Sequence, residues 1–296
     1  MSATEALGPL YGLVQPVLIT EGITHRQLSQ VLRDAAHEAG DILGSLSAGG
    51  IGTVVHSAQL TAAQQSLSLM ATETWAKVGS ITQAGMYAQA QLAADQALDL
   101  DMFSGMPPMA LQQMAQAIHF EAAQAVESLI SRHTSGVQLA DRIYANGKVT
   151  TKQVGSIIDR ALAQQVSHRE LAARVKAFYR PDVPGGASYA AQRLARTEIN
   201  NAHHDTNIRL AQPKPWVLGF RWNLSSSHPR PDPCDDYAHA DFGMGEGVYP
   251  KDEVPRRPHP QCLCYVTHVQ EDDEVFTNKL AKGDYDDYLN ERGVRC

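Results

Sequence analysis

The spacing of apolar residues changes character once along this chain, and the change sits at a linker. Up to Tyr179 the apolar positions recur three and four residues apart, as one face of a helix requires. Residues 180–186 read Arg-Pro-Asp-Val-Pro-Gly-Gly, a run of turn formers. Beyond them one more helical stretch, 188–211, leads into a segment of period two, the mark of a strand with one buried face. The expected class is therefore α+β: a mainly helical N-terminal region over 1–180, a small α+β domain over 187–270, and an acidic tail over 271–296.

Three capping boxes predict helix starts: Thr24 with Gln27, Thr150 with Gln153, and Ser167 with Glu170. Behind the first, Leu28, Val31, Leu32, Ala35, Ala39 and Ile42 keep helical spacing until Gly49 and Gly50 break the chain. A second helix is expected over 62–100. A third should start near Pro107 and Pro108, with Leu111, Met114, Ile118, Ala122, Val126 and Leu129 as its stripe. Two shorter helices follow, 151–165 and 167–179; their pairing resembles a helix-turn-helix, but the turn lacks the usual glycine. After the linker, alternation places Trp216, Leu218, Phe220, Trp222 and Leu224 on one strand face. Residues 225–260 read as a long Pro/Gly-rich loop, and a loop of that length is functional or needs a staple. A last strand over 261–270 puts Cys262, Cys264, Val266 and His268 on one face.

Composition narrows the function. Charged residues are only 19% and apolar ones 43%, so the chain has the means to bury a core. A net charge of -7 argues against a protein that coats nucleic acid. The charge is uneven, however. Arg142 to Arg180 holds eight basic residues against two acidic ones, whereas Glu271, Asp272, Asp273 and Glu274 run consecutively in the tail. Nothing approaches the roughly 20 apolar residues that cross a bilayer, and the N-terminus has neither the basic nor the apolar part of a signal peptide. The expected setting is a cytoplasm, where thiols stay reduced.

The chemistry concentrates late in the chain. Cys234, His259, Cys262 and Cys264 offer thiolate and imidazole, the usual ligands of structural zinc, and four of them complete a tetrahedron. The spacing H-x2-C-x-C puts three candidates within six residues, with Pro258 and Pro260 stiffening the approach. His228 and His239 could replace any one ligand; reduced cysteines packed as small apolar groups are the alternative. On the 188–211 helix, Arg196, Asn200, His203 and Asn207 form one stripe and Glu198, Asn201 and Asp205 the next. That second stripe could hold a divalent ion, or fix the helix to the strands through a buried hydrogen-bond network. Gly243 to Gly247 lacks the Lys-Ser/Thr of a P-loop, and no catalytic motif is present, so no catalytic or cofactor-binding residue is assigned.

The run RLARTEINNAHHDTN, the segment FRWNLSSSHPRPDPCDDYA and the closing PHPQCLCYV together resemble the phage head morphogenesis family typified by the F protein of phage Mu, over residues 188–268. The resemblance implies a minor capsid protein, made in the host cytoplasm and carried inside the virion head near the portal. It implies a part in head assembly, and in DNA packaging or delivery. Arg196, Thr197 and Glu198 would be the family's helix signature, and Cys234, His259, Cys262 and Cys264 its Cys/His cluster. Many members carry a second Cys three positions after the first; Tyr237 stands there in this chain, which shifts weight to His259 or His239. The implied partners are portal, capsid or scaffold proteins, with a weak non-specific contact to packaged DNA. The Ala, Met and Leu stripes of the N-terminal helices are the expected docking faces. The rival reading is a metal-dependent hydrolase or nuclease using the His and acidic residues of the C-terminal domain.

Overall fold

The structure is a computed structural model and describes residues 8–45, 54–103, 108–131, 138–164, 166–180, 183, 185–226, 228 and 231–294. The break expected at Gly49 and Gly50 lies outside these residues, as does Pro107, whereas Pro108 opens a helix as expected. The chain runs α1 (Gly8–Gly44), α2 (Val54–Phe103), α3 (Pro108–Ser131), α4 (Leu139–Ala163), α5 (His168–Tyr179) and α6 (Ala187–Ala211). It continues as β1 (Val217–Asn223), α7 (Pro233–His239), β2 (Val248–Pro250), β3 (Tyr265–Gln270), α8 (Asp273–Lys282) and α9 (Asp286–Glu291). The class is thus α+β, mainly helical at the N-terminal side, with a small sheet and a Cys/His cluster at the other. None of the described helices is long and apolar enough to cross a membrane.

The chain divides into two compact units that are interleaved in sequence. One takes the residues up to Thr20, Gly85–Leu129 and Arg196 onward; the other takes Glu21–Ala84 and Ile130–Ala195. This division differs from the consecutive 1–180, 187–270 and 271–296 expected above. Four of the helices, α1, α2, α3 and α6, begin in one unit and end in the other.

In the second unit, α1 buries Leu28, Leu32, Ala35, Ala39 and Leu43, the predicted stripe with Leu43 in the place of Ile42. From α2 come Leu67, Met70, Trp75 and Val78, all buried. Two of the three capping boxes do not start helices. Thr24 lies inside α1, and Thr150 lies inside α4, which begins eleven residues earlier at Leu139. Thr150 is instead a buried partner: its Oγ1 accepts the Trp75 indole N–H at 2.8 Å. The box motif is short, and a hydroxyl that satisfies a buried indole uses the same side chain for a different purpose. Ser167 does cap α5, its Oγ accepting from the Glu170 N–H at 3.2 Å. Gly79 permits a close approach here, since a Cβ on it would stand 2.7 Å from Ile143 Cδ1.

In the first unit, α3 buries Met114, Ile118, Ala122 and Val126. The stripes expected to dock on a partner are therefore used within the chain itself. What α3 leaves outside is Met109, 74% exposed, and Phe120, 65% exposed. The sheet has the order β2-β1-β3, antiparallel throughout. A register shift between Val217 and Gly219 corrects the predicted strand face: Val217 is buried and Leu218 is exposed, while Phe220 and Trp222 point inward as expected. One extra residue in a strand turns the alternation over. The 225–260 segment is not free of regular structure, because it contains α7 and β2.

The acidic segment is a folded part of this unit. Asp272 caps α8 by accepting the Glu274 N–H at 3.0 Å, and Asp273 and Glu274 occupy its first turn. Acidic groups belong there because they satisfy free N–H donors and oppose the helix dipole. Phe276, Tyr285 and Tyr288 then surround the buried Trp216, with ring centroids 5.2, 5.3 and 5.0 Å away. Glu271 accepts the Tyr285 hydroxyl at 2.6 Å and pairs with Lys279.

Candidate metal centre

Two elements converge on the site. Pro233 at the first turn of α7, with Asp232 as cap, fixes where that helix begins. Asp232 Oδ1 accepts the Cys234 N–H at 2.7 Å, and Asp235 Oδ2 accepts the Asp232 N–H at 2.7 Å. This double cap aims Cys234 into the interior, where it is buried. Opposite it comes the segment entering β3. Gln261 there adopts a left-handed backbone (φ 62°), the one positive φ among the described residues other than glycines. The turn brings Cys262 and Cys264 inward, both buried.

Helix α6 holds this turn in place. Thr197 Oγ1 accepts the Gln261 N–H at 3.1 Å. The Cys262 carbonyl accepts from Asn200 Nδ2 at 3.3 Å and from the Arg257 guanidinium. Asn207 donates to the Val266 carbonyl at 3.1 Å and accepts from His268 Nε2 at 2.7 Å. His204 Nε2 donates to the Pro255 carbonyl at 3.1 Å. Of the three residues Arg196, Thr197 and Glu198, Thr197 binds the turn and Glu198 is buried, while Arg196 is exposed. Asn200 and Asn207 share a stripe as expected, and that stripe serves as the network that fixes helix to strand. Arg257 was not singled out from the sequence; an Arg-Arg pair between prolines carries no periodic signal.

The Sγ atoms of Cys234, Cys262 and Cys264 all lie within 4.8 Å of one another. Cys234 Sγ stands 3.5 Å from Cys262 Sγ and 3.5 Å from His259 Nε2. The four predicted ligands are therefore close enough to hold a metal ion. His228 also reaches the cluster, its Nδ1 4.0 Å from Cys264 Sγ. His239 does not: exposed, it pairs with Glu246 at 2.5 Å. Tyr237 packs its ring edge-on to Trp222 at 5.1 Å. The nearby Gly247 is required by its backbone, with φ 71° and a would-be Cβ 2.6 Å from the Ala238 carbonyl oxygen.

The electrostatics suit a cation. Burial pushes the Cys234 thiol up to about 12. The contact with Cys262, together with burial, raises Cys264, and the same contact holds Cys262 below its ordinary value. Cys234 and Cys264 resist ionisation alone, yet all three would become thiolates around a metal, whose charge reverses that preference. Asp235 holds His228 above its ordinary value through a 2.9 Å hydrogen bond.

Compared with protein-family models, with curated proteins and with solved structures, the chain finds no match.

Proposed function

We propose that the chain is a bacteriophage minor head protein, a structural component of the virion rather than an enzyme, whose C-terminal part is held by a structural zinc ion. One observation carries the reading. The segments that bear the family resemblance, RLARTEINNAHHDTN and PHPQCLCYV, lie far apart in sequence yet bind each other through Thr197, Asn200 and Asn207. Their side chains act as a framework around the cysteines, which supports a signature kept for folding a module. Three buried thiolates and an imidazole fill a tetrahedron, as structural zinc requires, whereas a hydrolase or nuclease keeps one position open for water.

The protein is made in the host cytoplasm and works in the head interior near the portal. It meets the portal, capsid or scaffold through exposed apolar side chains, and touches packaged DNA only weakly through the basic Arg142–Arg180 segment. Phosphate contacts fail as salt rises because they rest on counterion release, whereas an apolar contact persists. Co-expression with the portal protein from the same genome, followed by size-exclusion chromatography at moderate and high salt, tests this. Co-elution at both salts is expected. Failure at both, with tight binding to duplex DNA, would reject the assignment.

Metal analysis tests the zinc. Protein purified without a histidine tag should carry about one zinc per chain, and chelation should open residues 232–264 to protease, since binding and local folding are coupled. Metal-free protein with unchanged protease resistance after chelator would count against it, and metal-dependent cleavage of DNA would favour the nuclease reading.

A further inference from the structure

The thiolate cluster has more imidazole than a tetrahedral ion can use. Resting on the metal reading above, we propose that His259 and His228 share the fourth coordination position, either one completing the site when the other is withdrawn. Zinc bonds of about 2.3 Å to sulfur and 2.0–2.1 Å to nitrogen place neighbouring ligand atoms of a tetrahedron roughly 3.5–3.8 Å apart. His259 Nε2 meets this at 3.5 Å from Cys234 Sγ, and His228 Nδ1 comes close at 4.0 Å from Cys264 Sγ. The two approach different sulfurs of the same trio.

Each ring is oriented as a ligating histidine usually is, with its other nitrogen tied to a carbonyl or carboxylate. His259 Nδ1 donates to the Pro260 carbonyl at 3.0 Å, leaving Nε2 toward the sulfurs. His228 Nε2 donates to Asp235 Oδ2 at 2.9 Å, leaving Nδ1 toward them. Asp232 stands between the two free nitrogens, its Oδ2 3.0 Å from His259 Nε2 and 3.8 Å from His228 Nδ1. It is placed to hold whichever ring is not on the metal. His228 follows β1 and His259 precedes β3, so either connection can let go of the ion while the three sulfurs retain it.

The test uses the full chain loaded with zinc or cobalt(II), and X-ray absorption to count sulfur and imidazole ligands. Wild type, His228→Ala and His259→Ala should each bind one ion through three sulfurs and one imidazole. The single variants should stay within about 100-fold of wild-type affinity, the range of a perturbed outer shell. The double variant should bind more weakly still, with no imidazole on the metal. Loss of the imidazole in either single variant overturns the proposal, and that result does not depend on the double variant folding. An unchanged double variant also overturns it. Wild type without metal overturns this and the structural-zinc reading together, whereas a metal bound with the wrong ligand pattern overturns this alone.

Discussion

Thr197 joins the two halves of the site with one hydroxyl. Replacing it with Val keeps the shape but leaves the Gln261 N–H without its acceptor, next to a backbone already in the left-handed region. A fully buried donor left unpaired costs about 1–3 kcal/mol, and this part-buried one costs at most the lower end of that range, ~1 kcal/mol. Thr197→Val should lower the unfolding free energy by that amount in denaturant titration. An unchanged midpoint would show that the turn stands without α6. The buried histidines set a pH dependence. Burial holds His203 at about 4, and His204 and His268 at about 3. Each is neutral in the fold and titrates near 6.5 when unfolded. Above that pH they contribute nothing; as pH falls from 6.5 toward 3–4 the unfolded chain binds protons that the folded chain refuses. Stability should then drop progressively as pH falls below about 6.5. His268→Gln should flatten that slope in thermal melts across pH 4–7, and an equally steep profile would exclude His268 as a source.

Elements with a strong period were legible from residues alone. The stripes of α1 and α3, and the inward Phe220 and Trp222, follow from spacing, and so does the grouping of His259, Cys262 and Cys264, whereas Cys234 joined them on its ligand chemistry alone. What spacing could not carry was decided by tertiary contacts. The Trp75 indole claims Thr150, a bulge turns Leu218 outward, and α7 hides in a Pro-rich segment because its cap uses two aspartates rather than a box of Ser and Glu. The acidic segment misled because charge alone does not distinguish a solvated tail from two helix starts. Its apolar residues make the difference. Phe276 is buried against Trp216 and Tyr285, so Phe276→Ala should cost about 3–5 kcal/mol as a large-to-small core change. A free tail would tolerate it, and a melting temperature equal to wild type would restore that view.

At the scale of the whole molecule, the interleaved units decide which fragments can exist. A chain ending at residue 180 keeps 85–129 but lacks everything from Arg196 onward that shares their unit. It should melt without a cooperative transition and expose Met114, Ile118 and Val126, readable as dye binding. A cooperative melt at the wild-type temperature would mean that the helices suffice alone. Interleaving also bears on synthesis. Lys214 reaches the Ala97 carbonyl, Arg209 reaches Ser128, and Arg292 pairs with Glu121. A ribosome adding about 5–20 residues per second delivers Glu121 on the order of ten seconds or more before Arg292. Through that interval the nascent helices must wait with their apolar faces uncovered, which makes the chain a natural client of chaperones until its last turns emerge.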